Sequence, residues 1–240
     1  MQIVETLLTQ NPCYVANFER ADGRYRRFQD EGPKSLMLHS VGCAQPDASV
    51  FVEKWNKPTY TRACVHAFID ANSGIVFQTL PWNFRGWHSG GSANNTHVGV
   101  EMCESKHIKY TGGAAFEVLD RTKAQADAKR TYDSAVELFA LLCEMYALDP
   151  TTEICSHREG GMQGIASAHA DPEHYWNGLG MRYSMDSFRS DVKARLERDD
   201  TIYRIQVGAF RNKTYAEAYL ARVQAAGFQN AYITSTKGGG

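Results

Sequence analysis

The chain has 240 residues, more than one modest domain needs and enough for a domain with an appended unit. Hydrophobic residues make up 43% and charged residues 22%, which is ordinary for a globular protein and argues against disorder. The formal net charge of −1 gives no electrostatic reason to expect nucleic acid as a partner. No apolar run approaches the length of a membrane span, so we expect no membrane insertion.

Short apolar runs in the first third of the chain predict strands. Residues 1–33 have no regular pattern and are expected to be irregular. Residues 35–42 (SLMLHSVG) predict a buried strand, and residues 47–56 show helical spacing after a candidate N-cap, Asp47. Two apolar runs within 63–80, separated by turn-forming residues, predict a hairpin.

The next elements alternate between strands and helices. Residues 97–104 (HVGVEMCE) and 153–157 (EICSH) predict strands on either side of a long helix over 122–148. Residues 158–182 are rich in Gly and His and predict a loop, which an amphipathic helix over 184–200 follows. This alternation indicates the α/β class, with a central mixed β-sheet flanked by helices.

A change of pattern near two consecutive aspartates marks a second unit. Residues 202–210 and 230–235 predict strands and 214–227 a helix, which together predict a small C-terminal β-α-β unit. We therefore divide the chain into domains at 1–198 and 199–240. A unit this small buries little apolar area by itself.

Two histidines stand at the ends of predicted strands. His39 ends the strand in 35–42 and His157 ends the strand in 153–157, so both side chains are expected above one edge of the sheet. Asp171 follows across a flexible Gly-rich loop that is long enough to fold back. Catalytic zinc takes three protein ligands and a water. The spacing is consistent with a zinc site, but hydrogen-bonded core histidines would give the same pattern.

Three ordered blocks carry a family resemblance: MLHSVG, HAFIDANSGIVFQTLPWNFRGWHSGGSANNTHVGVEMCE and CSHREGGMQGIASAHADPEHYW. Together they resemble the zinc-dependent N-acetylmuramoyl-L-alanine amidases of the type-2 amidase family, which includes peptidoglycan recognition proteins and many phage endolysins. The resemblance spans roughly residues 10–180. It implies a Zn²⁺ cofactor held by His39, His157 and Asp171. It also implies bacterial peptidoglycan as the partner, cut between N-acetylmuramic acid and the first L-alanine of the stem peptide.

The resemblance implies that Glu101, in the segment VGVE, is the general base. On the predicted strand it faces away from Val100 and Met102, and a carboxylate in an apolar strand costs desolvation unless it has a partner or a task. Partial burial would raise its pKa toward the range that suits a base. A structural ion pair is the alternative role for Glu101, and Glu104 is a weaker alternative base.

His169 stands two residues before Asp171, where many family members carry a lysine that stabilises the oxyanion. The resemblance implies that His169 takes this catalytic role as an imidazolium. Two alternatives stay open. His169 is itself the third zinc ligand, or Asp171 orients it.

One long loop between strands is rich in aromatic and polar residues. Its candidate substrate-binding residues are Trp82, Arg85, Trp87, His88 and Asn95, since aromatic rings stack on sugar faces and His or Asn can bond the peptide. Family members carry a comparable WHxG segment that lines the groove. For Trp87, anchoring the loop is an equal alternative.

Residues 202–233 resemble the sporulation-related SPOR repeat, whose domains bind peptidoglycan glycan strands. A whole domain of this kind is about twice as long. The wall-binding unit at 199–240 is therefore expected to be incomplete.

The N-terminus lacks the basic region, continuous apolar core and cleavage site of a secretory signal, so we expect synthesis in the cytoplasm. Action on the wall then needs release through a phage holin or lysis of a sporulating mother cell. Two other functions stay open, a non-catalytic peptidoglycan binder and a zinc peptidase of the stem peptide. The presence of Asp171 and Glu101 favours the amidase.

Overall fold

A computed structural model describes residues 1–21, 24–25, 27–28, 32–197 and 205–235. The chain divides into two units, Met1–Arg198 and Asp199–Gly240. Within the described ranges, no helix combines the length and apolar character needed to cross a bilayer.

Strands and helices alternate through the first unit, and a helix is the regular element described in the second. The strands are β1 (Ile3–Glu5), β2 (Arg20–Ala21), β3 (Arg24–Tyr25), β4 (Ser35–Ser40), β5 (Ala67–Ile69), β6 (Val76–Gln78), β7 (His97–Met102), β8 (Ile108–Gly112), β9 (Ala115–Val118) and β10 (Ile154–Ser156). The helices are α1 (Pro12–Ala16), α2 (Ala48–Trp55), α3 (Arg121–Tyr146), α4 (His157–Met162), α5 (Glu173–Gly178), α6 (Met185–Glu197) and α7 (Lys213–Ala225), with a 3-10 turn at Ser92–Asn95.

Six strands form one mixed sheet in the order β1-β6-β5-β7-β4-β10. Strands β5, β7, β4 and β10 run parallel to one another, and β6 is antiparallel to β5. The predicted α/β class and central mixed sheet are confirmed. Because β7, β4 and β10 are parallel, their carboxyl ends open on the same edge of the sheet.

The two faces of the sheet bury different helices. Leu36 and Leu38 of β4 face one core cluster, which also includes residues of α3 and α6. The buried residues of α3 recur at helical spacing and form one apolar stripe: Ala124, Ala128, Ala135, Leu138 and Leu142. The other face carries a second cluster with α1 and α2. Burial on both faces explains why β4 and β7 are continuous apolar runs.

Helix α2 begins where the sequence predicts, but a different residue supplies the cap. Asp47 is at the N-cap position and makes no capping hydrogen bond. Asp70 Oδ2 instead accepts a hydrogen bond of 3.0 Å from the backbone N of Ala48. The other Asp70 oxygen accepts from the backbone N of Asn72 and Ser73, so one carboxylate shapes both the hairpin turn and the start of α2.

Three segments have more structure than their sequence indicates. Residues 1–33 were predicted to be irregular, yet they contain β1, which pairs in parallel with β6, and α1. The predicted loop at 158–182 contains α4 and α5. The hairpin of β8 and β9 occupies a segment for which we predicted no element. All three contain elements of six residues or fewer, too short to show a clear period.

Among its described residues, the second unit contains the predicted helix, α7, but not the predicted strands. Residues 205–210 and 231–235 carry no strand, so the β-α-β expectation is wrong for these residues; residues 202–204 lie outside the described part. Side chains expected in a core are exposed, with Ile205 91% and Tyr232 69% accessible. A strand needs a paired neighbour and an apolar partner layer, and a unit of this length offers too little of either.

Candidate metal centre and active site

Three parallel strands bring the predicted ligands to one edge of the sheet. His39 is next to the last residue of β4, and His157 is the first residue of α4, directly after β10. The sequence predicted that His157 is the last residue of this strand. In the structure the strand ends one residue earlier, at Ser156. Asp171 lies in the loop before α5 and is followed by Pro172 in a cis peptide bond. All three side chains are buried or nearly so.

The three side chains converge on one point. His39 Nδ1 lies 3.0 Å from His157 Nδ1 and 3.4 Å from Asp171 Oδ2, and His157 Nδ1 lies 3.6 Å from the same oxygen. The three donor atoms are all within 4.8 Å of one another. Ligands bound tetrahedrally at zinc distances are about 3.3–3.6 Å apart. The donor set and its spacing therefore fit a divalent metal ion.

Burial and charge put His39 and Asp171 in the protonation states that a metal needs. Burial lowers the pKa of His39, which favours the neutral imidazole. Burial alone would raise the pKa of Asp171, but its close contacts with His157 and His39 outweigh burial and hold that pKa well below its usual range. Asp171 is therefore a carboxylate.

The sequence profile of the N-acetylmuramoyl-L-alanine amidase family matches residues 29–174, and that of the SPOR domain matches residues 199–240. The first match covers more than half of the chain and includes all three metal donors. The chain belongs to the N-acetylmuramoyl-L-alanine amidase family. It is a peptidoglycan hydrolase that cuts the amide between N-acetylmuramic acid and L-alanine, with a SPOR unit that indicates binding to the cell wall.

Solved structures share the fold of the amidase unit. The Staphylococcus aureus hydrolase AmiA in complex with its ligand has a TM-score of 0.57 at 16% identity, covering 82% of this chain and 83% of AmiA. The PlyG catalytic domain has a TM-score of 0.55 at 18% identity, covering 85% and 100%. A mutant of PlyL has a TM-score of 0.53 at 20% identity, covering 81% and 99%. No curated protein sequence matches the chain significantly.

Glu101 of the amidase lies beside the metal centre on the neighbouring strand. In the register of β4 and β7, Glu101 pairs with His39. Its Oε2 atom is buried and has no hydrogen-bond partner among the described residues. Burial raises the pKa of Glu101 well above its usual value, and the charges of Asp171 and Glu104 raise it further. An unpaired carboxyl oxygen next to the metal donors is suited to proton transfer.

Glu104, the weaker candidate base, has both oxygens engaged. Oε2 accepts a 2.7 Å hydrogen bond from the hydroxyl of Tyr110, and Oε1 accepts one of 3.2 Å from the backbone N of Gly42. The side chain is fully buried, and burial raises its pKa to about 7. Its bonds to β8 and to the loop after β4 give it a structural role, which leaves Glu101 as the better base.

His169 lies at the mouth of the centre. Its Nδ1 is 3.1 Å from His157 Nδ1 and 3.8 Å from Asp171 Oδ1, and its side chain is 56% exposed. Burial, with a smaller effect of His157, lowers its pKa. His169 is close enough to act on a substrate at the metal, but Asp171 rather than His169 completes the compact donor group.

Two residues of the predicted substrate loop, Arg85 and Asn95, pair with each other away from the metal centre. Gln78 ends β6 opposite Ala67 at the start of β5, so the loop leaves the sheet at the edge away from the metal donors. Arg85 Nε donates a 2.6 Å hydrogen bond to Asn95 Oδ1, just before β7 begins. Glu101 is the fifth residue of β7, about 13 Å along the strand from its first residue. The role of Arg85 and Asn95 in substrate binding stays a prediction.

The aromatic side chains of this loop are half-buried and pack inward. Trp82 packs against the core cluster that contains α3, and Trp87 packs against the cluster that contains α1 and α2. Trp87 also forms an isolated bridge with Cys64, whose backbone exchanges two 2.8 Å hydrogen bonds with it. These contacts favour the alternative in which Trp87 anchors the loop over a role in binding substrate.

His88, another predicted substrate-binding residue, contacts a metal donor directly. Its ring is buried behind His39, with Nδ1 3.0 Å from His39 Nε2 and Nε2 3.0 Å from the backbone O of His97. Both ring nitrogens of His88 are therefore hydrogen-bonded inside the protein. Sequence reasoning missed this role because the contact joins segments far apart in the chain.

Proposed function

We propose that the amidase is zinc-dependent, with His39, His157 and Asp171 holding one Zn²⁺ ion and Glu101 as the general base. The observation that carries this proposal is the convergence of two imidazole nitrogens and a carboxylate oxygen within 4.8 Å at the strand ends. Two nitrogens and one oxygen are a donor set that catalytic zinc uses in other hydrolases, where a fourth position stays open.

When bound, zinc would supply a polarised amide carbonyl and a water that ionises near neutral pH. Glu101 takes a proton from the attacking water at Oε2, its unpaired oxygen. The same carboxyl then gives that proton to the departing amine of L-alanine. Because the raised pKa of Glu101 keeps the proton available, one group serves both steps.

His169 is proposed to stabilise the negative charge that develops on the carbonyl oxygen. Its exposed ring at the mouth of the centre can reach a substrate, and a donated hydrogen bond there strengthens as the charge grows. The other reading, His169 as a metal ligand, is weaker because Asp171 Oδ2 already lies within 3.6 Å of both buried histidine nitrogens.

The proposal extends to where the enzyme acts. We propose that the protein is made in the cytoplasm and reaches the cell wall after release, through a holin or lysis of a mother cell. The SPOR match at 199–240 supports the cell wall as the site of action.

Mass spectrometry of fragments from purified peptidoglycans tests this function. We expect new free amino termini on L-alanine, together with intact glycan strands. Addition of a zinc chelator should abolish their formation, and added zinc should restore it. Cleavage within the stem peptide would identify a peptidase instead, and activity that survives complete removal of metal would refute the zinc mechanism.

A further inference from the structure

Three buried groups form a chain of hydrogen bonds that ends at the metal centre. The backbone O of His97 lies 3.0 Å from His88 Nε2, and His88 Nδ1 lies 3.0 Å from His39 Nε2. On its other side, His39 directs Nδ1 at His157 Nδ1 and Asp171 Oδ2. A backbone carbonyl thus connects through two imidazole rings to the metal donors.

The carbonyl at the start of this chain fixes every proton along it. A carbonyl oxygen only accepts, so His88 Nε2 must carry the hydrogen. A buried imidazole is favoured in its neutral form, which has one N–H, so His88 Nδ1 is left as an acceptor. His39 Nε2 must then donate to it. As a neutral ring, His39 has no second hydrogen, and its Nδ1 keeps a free lone pair.

We propose that His88 is a positioning residue that sets the tautomer and ring orientation of His39, so that Nδ1 of His39 is always ready to bind the metal. The inference rests on the metal centre of the proposed function. It adds a residue behind that centre, since groups that hold the far nitrogen of a histidine ligand orient it and raise its basicity.

The surroundings of His88 hold its ring in one place. Its backbone N donates a 2.8 Å hydrogen bond to Asn94 Oδ1. The ring covers Gly99 of β7, where a Cβ atom would lie 2.4 Å from the His88 Cγ. Glu101 is two residues further along and faces the same side of the strand. The absence of a side chain at Gly99 thus gives the space that His88 needs beside the proposed base.

Zinc affinity separates this role from simple filling of the core. In His88→Phe, a ring of similar shape keeps the packing but has no nitrogen for His39. We expect its zinc dissociation constant, measured by competition with a fluorescent chelator, to rise about 10- to 100-fold. In His88→Asn, the side-chain oxygen can accept from His39 Nε2, and we expect part of the affinity to return.

His66→Phe is the matched control. His66 is a buried histidine whose ring centroid is 5.9 Å from that of His88, and its nitrogens bond the backbone of Gly99 and Phe84 rather than a metal donor. We expect this variant to bind zinc like the unmodified protein. Equal zinc affinity in folded His88→Phe and the unmodified protein would overturn the proposal, as would an equal loss in His66→Phe.

Long-range ¹H–¹⁵N correlation of the zinc-free protein gives a second, direct test that needs no variant. We expect His39 to be protonated at Nε2, and a mixed tautomer population to appear in His88→Phe. Protonation of His39 at Nδ1 in the unmodified protein would overturn the proposal even if His88→Phe did not fold. Failure of the unmodified protein to bind zinc would instead count against the proposed function and leave the tautomer result intact.

Discussion

Asp171 and His169 are separated by one residue, yet they lie differently at the metal centre. Asp171 Oδ2 lies within 3.6 Å of both His39 Nδ1 and His157 Nδ1, whereas the His169 ring is more than half exposed at the mouth. This difference in depth is the basis for assigning one as ligand and the other as a group that acts on the substrate.

We predict that Asp171→Ala loses zinc, while His169→Ala keeps about one zinc per chain and loses turnover. Loss of one oxyanion donor typically lowers kcat about 10²- to 10³-fold. Metal content by mass spectrometry and kcat on a soluble muropeptide check both variants. If His169→Ala lost its zinc and Asp171→Ala kept it, the three-histidine site would be the correct one.

For Glu101→Gln we predict normal zinc content with kcat about 10²- to 10⁴-fold lower, because the amide cannot accept the proton of the water. Glu104→Gln is the matched control, since it removes a neighbouring buried carboxylate whose oxygens are already hydrogen-bonded. It should keep most of its turnover. Near-normal turnover in Glu101→Gln would move the base to another residue.

The sequence was more informative about metal donors than about their surroundings. His39, His157 and Asp171 follow apolar strands or a Gly-rich loop, and parallel strands bring such positions to one edge. His88 contacts His39, which lies 49 residues earlier in the chain, and no local sequence pattern predicts such a contact. Gly99, inside an apolar strand, was the one visible sign that something approaches the backbone there.

At the scale of elements, Glu104 ties the end of β7 to β8 through the Tyr110 hydroxyl. Its pKa is raised to about 7, chiefly by burial. The unfolded chain releases this proton near the ordinary glutamate pKa of 4.5, so the folded protein binds the proton more tightly between these two pH values. The stabilising effect is therefore full below pH 4.5 and is lost as pH rises through 7.

We predict that zinc-free Glu104→Gln loses this part of the pH dependence. As pH rises from 4 to 8, the unmodified protein should lose on the order of 3 kcal/mol of unfolding free energy that the variant does not lose. Urea unfolding at both pH values, with chelator present, measures this change. Parallel stability–pH curves for the two proteins would show that Glu104 is not the titrating group.

Long elements were predictable and short ones were not. β4, β7, α3 and α6 follow continuous apolar or helical patterns, and each was predicted within a few residues of its bounds. The hairpin of β8 and β9 and helices α4 and α5 are short and depend on packing against the larger elements. Their stability comes from tertiary contacts, which override weak local preferences.

At the scale of the whole molecule, the core clusters lie within the first unit, and α7 of the second unit has no buried residue. The β-α-β expectation failed here because sequence periodicity reports which residues suit a strand, not whether a partner strand is present. A regular pattern without enough apolar area does not fix a fold.

We predict that removal of residues 199–240 leaves the melting temperature and the turnover of a soluble muropeptide nearly unchanged. Co-sedimentation with insoluble cell wall should fall several-fold, because the SPOR match lies entirely within the removed residues. A truncated chain that binds walls as well as the full chain would show that the amidase unit alone does the binding.

The central claim is that one metal ion joins His39, His157 and Asp171. Anomalous diffraction at the zinc absorption edge, on crystals grown with zinc, tests it most directly. We predict a single strong peak about 2.0–2.2 Å from Nδ1 of both histidines and from Oδ2 of Asp171, with a fourth position open toward the groove. Absence of a peak there at full zinc loading, or a peak held by other side chains, would contradict the account.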